Sequence, residues 1–255
     1  MKRTITALLF FVVINITAPV LSAQQSKFDR ATDQLQQQNY WDAISLYQEI
    51  AEDGYQSGAL WFNIGIAYSQ LDSLGLAKYY FLKSSDYPET RAEASSAVEY
   101  LNNRFSRRSA VLPPLPWDRF FNYLKDQVGV SSLFSMGLIF LYLGIAGILL
   151  FWFYHKFSSY FYYIGITALV MSALLFLTAF YVQYLENRFS TGVVVDRQSV
   201  VYQSPDSASA EISTAYEGYT VRVDYRESEE HQEWIYIRLE NGMKGWIEQQ
   251  AVKTL

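Results

Sequence analysis

The chain contains no cysteine among its 255 residues, which excludes disulfides, thiol catalysis and lipid attachment through an N-terminal cysteine. Histidine is scarce as well. His155 lies in a short polar stub between two apolar runs and His231 in a charged loop, and there are no others. No zinc pattern and no histidine-paired nucleophile can be built from them, no serine occupies a nucleophile elbow, and no glycine-rich loop follows a strand pattern. The acidic run Glu227, Glu229, Glu230 and Glu233 has irregular spacing with one imidazole nearby, and reads as a solvated loop. A basic stripe is also missing. Residues 24–130 carry ten Lys/Arg against thirteen Asp/Glu, and residues 186–255 carry seven against twelve, whereas a nucleic-acid partner demands clustered positive charge. These absences predict a protein with no catalytic residue, no metal site and no cofactor, acting by binding.

Charge itself is missing from two long stretches, residues 133–154 and 160–185. Each exceeds the roughly 20 residues that span a hydrocarbon core of about 30 Å. Trp152, Tyr154, Tyr160, Tyr162 and Tyr163 crowd the stub between them, and Tyr181 and Tyr184 mark the far end of the second run. Aromatic rings with one polar atom favour that depth. Gly137, Gly144 and Gly147 on the first run, with Gly165, Ala168 and Ser172 on the second, predict close helix approach. A five-residue stub (155–159) permits only an antiparallel transmembrane hairpin.

The first residues read as an export signal. Lys2 and Arg3 precede an apolar run at residues 5–16, and Pro19 breaks it before Ser22 and Ala23. Whether it is cleaved near Ala23 or kept as an anchor, the following segment crosses the membrane. Two spans then return the chain, so the stub is expected in the cytoplasm and both polar regions on the periplasmic side of a bacterial inner membrane. The Lys/Arg tally leans weakly the other way, with Lys156 on the stub against Arg119, Lys125 and Arg188 at the opposite ends.

Residues 24–108 repeat at a period of 34. Ala31 matches Gly65, Ala43 matches Ala77, and Tyr47 matches Phe81. The second copy, Trp61–Gly65–Tyr68–Ala77–Phe81–Pro88, resembles the tetratricopeptide (TPR) signature, while the first has Lys27 and Gln34 at two of the aromatic positions. In this reading Gly65 and Ala77 let two helices close on each other, Tyr68 and Phe81 fill the space towards the neighbouring hairpin, and Pro88 ends the second helix. Residues 89–105, apolar at Ala94, Ala97, Val98 and Leu101, form a capping helix. The resemblance implies a protein-binding groove along Phe28, Thr32, Leu35, Gln36, Phe62, Ile66, Ser69 and Gln70, extended by Tyr100, Asn103 and Arg104. Phe28 and Phe62 read equally well as core. Arrays of this kind need about three repeats, so two repeats with a cap imply outside support from a partner.

Residues 109–130 hold a stiff spacer with Pro113, Pro114 and Pro116. Trp117, Phe120, Phe121 and Leu124 then fall on one helical face opposite Asp118, Arg119, Asn122 and Lys125, as in an interfacial amphipathic helix.

From Thr191 the period changes to two. GVVVD, SVVYQ, YTVRVDY, EWIYIRL and MKGWIE read as short strands. In WIYIRL, Ile235, Ile237 and Leu239 point one way and Trp234, Tyr236 and Arg238 the other, and Asn241–Gly242 supplies a tight hairpin turn. The stretch WIYIRLENGMKGWIEQQAV resembles the closing hairpin of bacterial SH3-like domains, YQSPDSASAEI their opening loop, and AYEGYTVRV the strand after it. Val201–Tyr202 stands where that family often has a valine–arginine pair, which weakens the case for cell-wall peptide binding. Tyr202, Tyr225, Trp234, Tyr236 and Trp246 form a candidate peptide-binding strip. Trp234 and Trp246 also read as partly buried packing residues.

The expected fold is therefore a multi-domain membrane protein. Its parts are a signal (1–23), an all-α TPR domain (24–108), the linker and amphipathic helix (109–130), a transmembrane helical hairpin (131–185) and a small all-β SH3-like barrel (186–255). That order resembles BatE-type proteins of the Bat (Bacteroides aerotolerance) set. The resemblance implies a scaffold that joins other Bat proteins with von Willebrand factor A-like domains and is loosely linked to a MoxR-type ATPase. Peptidoglycan binding through the barrel is the alternative.

Overall fold

Small residues decide where the N-terminal helices touch. Ala31, Ala43, Ala77 and Ala94 are fully buried, and around them close Tyr47, Leu60, Ile64 and Leu101. The helices are α1 (residues 24–36), α2 (Tyr40–Glu52), α3 (Gly58–Gln70), α4 (Leu74–Ser85) and α5 (Arg91–Arg104). The computed structural model describes residues 24–105, 112–113, 116–153 and 158–255. The export signal, Pro114 and the stub residues His155, Lys156 and Phe157 lie outside the described residues.

The described chain divides into two compact units. One joins the N-terminal helices, up to Ala110, to Thr191–Val223 and Glu227–Leu255; the other holds Val111–Ser190 with Asp224–Arg226.

In the first unit the 34-residue spacing reappears in the backbone. Gln38 ends α1 and Asp72 ends α3, and both adopt left-handed φ values, 65° and 58°. Equivalent hydrogen bonds close both turns, from Asn39 N–H to Gln34 O and from Ser73 N–H to Tyr68 O. Ser57 caps α3 by accepting from the Leu60 N–H at 3.1 Å, satisfying a donor that no helical carbonyl can reach. Gly65 lets α3 and α4 close on each other: a Cβ there would lie 2.7 Å from the Phe81 ring of α4, and Ala77 on α4 is fully buried. Lys27 bridges α1 to α2 through Glu49 and Asp53 at 2.8 and 2.9 Å.

The strands of the chain are β1 (Phe189–Val194), β2 (Gln198–Tyr202), β3 (Glu211–Tyr216), β4 (Thr220–Asp224), β5 (Trp234–Leu239), β6 (Lys244–Glu248) and β7 (Val252–Thr254), with a helical turn α9 (Tyr225–Ser228). They form one sheet in the order β3-β2-β6-β5-β4-β1-β7. Val194, Val201, Val223, Ile237 and Ile247 fill its core, and β5 alternates as expected, with Ile235, Ile237 and Leu239 buried. The β5–β6 loop is three residues long: Leu239 and Met243 pair, and Gly242 takes φ 86°, the left-handed position such loops need. Glu211 and Ile212, read with the opening loop, and Ala215 and Tyr216, read with the strand after it, belong instead to a separate strand β3, and Glu227 of the acidic run belongs to the helical turn α9. The other three acidic residues are exposed, and among the described residues no three His, Asp or Glu converge as metal ligands.

The N-terminal helices also pack against the chain's own strands. The β3–β4 turn, Glu217–Gly218, seats on the N-terminus of α4. Glu217 Oε1 accepts from the Gly75 N–H at 2.7 Å, a carboxylate at the positive end of a helix. Lys78 Nζ donates to the Gly218 carbonyl at 2.7 Å. Neither glycine tolerates a side chain. A Cβ at Gly75 would meet the Val194 carbonyl at 2.8 Å, and one at Gly218 would strike the Phe105 ring at 2.1 Å.

The second unit contains α6 (Pro116–Tyr123), a π-helical turn (Leu124–Val128), α7 (Val130–Phe153) and α8 (Ser158–Arg188). From the apolar face predicted for residues 117–124, Phe121 packs edge-on against Tyr181 at 4.7 Å and Leu124 joins the same cluster, while Phe120 is 56% exposed. α7 and α8 are long and apolar enough to cross a membrane. They touch through glycine: a Cβ on Gly147 would lie 2.8 Å from the Gly165 Cα. Ser172 Oγ donates to the Gly137 carbonyl at 2.9 Å, and Ile139, Leu143, Leu174 and Leu177 face outward. Arg188, counted above as an orienting charge, is ion-paired with Asp224 at 2.7 Å.

Candidate functional site

Alternation puts three strands' aromatic residues on the outer face of the sheet. Tyr202 pairs with Trp246 across β2–β6, and Tyr236 pairs with Trp246 across β5–β6. The Trp246 ring meets Tyr236 at 5.3 Å and His231 at 4.8 Å, and Tyr202 meets Trp234 at 5.5 Å, all edge-on. All five side chains are half-buried, so the rings pack against each other and still present a continuous ridge. The partial burial and ring packing read for Trp234 and Trp246 are found here. Gly245 allows the ridge to form, because a Cβ there would sit 2.6 Å from the Tyr202 carbonyl. Tyr225, predicted to belong to the strip, opens α9 instead and takes no part in these ring contacts. His231 was read as a loop residue; its contribution is visible only once Trp246 is placed.

Residues 199–253 match the family model for the bacterial SH3 domain. No curated protein matches the chain, and no solved structure does. The match runs from β2 to β7, so it includes every member of the ridge. Beside the ridge the bacterial SH3 domain has an open cavity of about 780 Å³, lined by Trp234 with Gln232, Glu233, Glu248, Gln249 and Gln250 among others. Trp234 thus lies on both features. Carboxamides and carboxylates around an aromatic wall suit hydroxyl- or amide-rich ligands.

The groove residues inferred from the helical repeat behave in two ways. Phe28 and Phe62 are half-buried against the helical core, with Phe28 edge-on to Tyr47 at 5.4 Å and Phe62 against Phe81 at 5.2 Å. Leu35 and Ile66 pack on the same core. Thr32 is held inward, its hydroxyl 2.9 Å from the Tyr47 hydroxyl, which also accepts from Asn63 Nδ2 at 2.9 Å. Burial pushes the Tyr47 phenol above its ordinary value, partly offset by these two bonds. Ser69 is half-buried, and Gln36, Gln70, Tyr100, Asn103 and Arg104 are exposed.

Where the bacterial SH3 domain meets the helices there is a second, smaller cavity of about 380 Å³. Asp72, Leu74, Arg104 and Phe105 line it from the helices, and Arg197, Tyr216 and Glu217 from the strands. Sequence reading singled out Arg104 alone. The others are brought together by a joint between residues some 140 positions apart in the chain, which leaves no local signature. Lys78 is buried at this joint, with its ammonium 5.7 Å from the Phe105 ring centroid. Burial lowers its pKa, against the opposing pull of Glu240.

Proposed function

We propose that the protein is a non-catalytic, membrane-anchored scaffold whose helical array and bacterial SH3 domain dock protein partners. The aromatic ridge of Tyr202, Trp246, Tyr236 and Trp234 supports this reading most directly. Tyrosine and tryptophan dominate protein-binding surfaces because each gives a large rigid contact with a polar tip. The helical array is read as tetratricopeptide-like, from its 34-residue period and its recurring turns. The order of parts resembles BatE-type proteins, and partners with von Willebrand factor A-like domains are the first to seek. The export signal read in residues 1–23 favours docking surfaces outside the cytoplasm with residues 155–159 inside. Purification of the full chain from mild detergent is expected to recover stable membrane partners, and Trp246→Ala to lose those held by the ridge while the protein still melts cooperatively. A repeatedly solitary protein overturns the proposal.

A second reading is cell-wall binding through the bacterial SH3 domain. The cavity beside Trp234, rimmed by Gln232, Gln249 and Gln250, favours it. Retention of the full chain on purified sacculi, lost in Trp234→Ala, supports this reading over the first.

A further inference from the structure

We infer that the joint cavity between the helices and the bacterial SH3 domain is a carboxylate-binding site, and that it takes a peptide presenting one carboxylate beside an apolar side chain. This deepens the docking reading by naming the chemistry of one ligand. Two arginines line the cavity from different parts of the fold, Arg104 from α5 and Arg197 from the β1–β2 turn. Arg197 has no ion-pair or hydrogen-bond partner for its guanidinium among the described residues. Arg104 is only loosely engaged, its Nη2 standing 3.6 Å from an Asp72 carboxylate that is itself 74% exposed. A contact of that length and exposure contributes little, so an incoming carboxylate can take its place.

The resident acids limit the ligand's charge. Glu217 lines the cavity but its Oε1 is committed to the Gly75 N–H at 2.7 Å. Asp72 and Glu217 together balance the two arginines, so a dianion such as a phosphomonoester meets two fixed negative charges. A single carboxylate meets two planar donor forks that match its geometry. The remaining wall is apolar, built from Leu74, the Phe105 ring and Tyr216, and receives the side chain next to the carboxylate. A volume of about 380 Å³ is at the small end for ligand sites, which fits a short peptide end or a single acidic residue. The site exists only while the Glu217–Gly218 turn stays seated on α4.

Calorimetric titration of the full chain in detergent micelles tests this with three probes: acetyl-Ala-Leu with a free carboxylate, the same dipeptide as its C-terminal amide, and acetyl-Glu-Leu amide. Binding of the first or third, and none of the second, is expected; which of the two binds says whether a chain terminus or an acidic side chain is read. Arg197→Gln should weaken that binding about tenfold, the loss typical of one charge-assisted contact. Arg238→Gln, on β5 away from the cavity, should leave it unchanged. Equal binding of the amide, no effect of Arg197→Gln, an equal loss in Arg238→Gln, or no binding of any probe overturns the inference. Each of those results leaves partner recovery through the ridge untouched, so the docking reading stands or falls separately.

Discussion

Lys78 on α4, 6% exposed, donates to the carbonyl of Gly218, 140 residues further along the chain, at 2.7 Å. Gly218 holds φ at 80°, and the Phe105 ring lies where its side chain would begin. The joint is therefore specified twice, by a hydrogen bond and by the absence of a side chain.

Gly218→Val is expected to destabilise the protein by about 2–4 kcal/mol, from a left-handed backbone that resists a branched residue and from overpacking against Phe105. The matching test is Gly218→Ala in a Phe105→Ala background. Removing the ring should recover part of the cost of the added methyl, and denaturant midpoints that add without coupling would show that the ring does not fill that space.

Gln38 is exposed and pays for a left-handed backbone without being glycine. Gln38→Gly should raise stability by about 0.5–1 kcal/mol, the residue of relieved strain less the extra chain entropy. A fall in the thermal midpoint would place the residue outside the left-handed region.

Asp53 is held below its ordinary pKa first by the hydrogen bond from Lys27, then by one from Gln24 and by the lysine's charge. The unfolded carboxylate protonates before the folded one, so this contribution is complete above about pH 4 and is lost as pH falls further. Lys27→Met should flatten the acid limb of stability against pH and leave the neutral region little changed, because the pair is exposed and screened.

Gly165 meets Gly144 and Gly147 across the α7–α8 contact. Gly165→Leu should separate the helices and cost about 1–3 kcal/mol in bicelles. Ile139→Leu, on an outward face, serves as the neutral comparison.

The proposed sidedness predicts alkaline phosphatase activity for fusions after Leu255 and near Ser109, and silence for one at Ser158. Activity at Ser158 alone would reverse it.

The apolar helices were legible because twenty or more uncharged residues have few soluble uses, and their glycines because close approach needs small residues at helical spacing. Strand β5 was legible for a similar reason: three aliphatic residues alternate with Trp234, Tyr236 and Arg238. Strand β3 was not. Of its six residues only Ala215 is buried, so period two hardly shows in EISTAY. The ridge is legible as far as Tyr202, Trp234, Tyr236 and Trp246; His231 lies in a loop as read, but its contact with Trp246 leaves no periodic signal, and Tyr225 opens α9 rather than continuing a strand. Lys78 reads as an ordinary helical surface lysine, and nothing near it announces a carbonyl from the other end of the chain. The turns at Gln38 and Asp72 were hidden by chemistry, since neither is the glycine or asparagine that usually marks a left-handed position.

The seating of Glu217 and Gly218 on α4 also constrains the path of the chain through a bilayer. Residues 24–105 and 191–255 hydrogen-bond to one another, so in the proposed membrane-anchored arrangement they share one aqueous compartment, and whatever lies between them crosses an even number of times. The two apolar helices α7 and α8 meet that parity. A variant that lost one of them would have to choose between spanning the membrane and closing the joint.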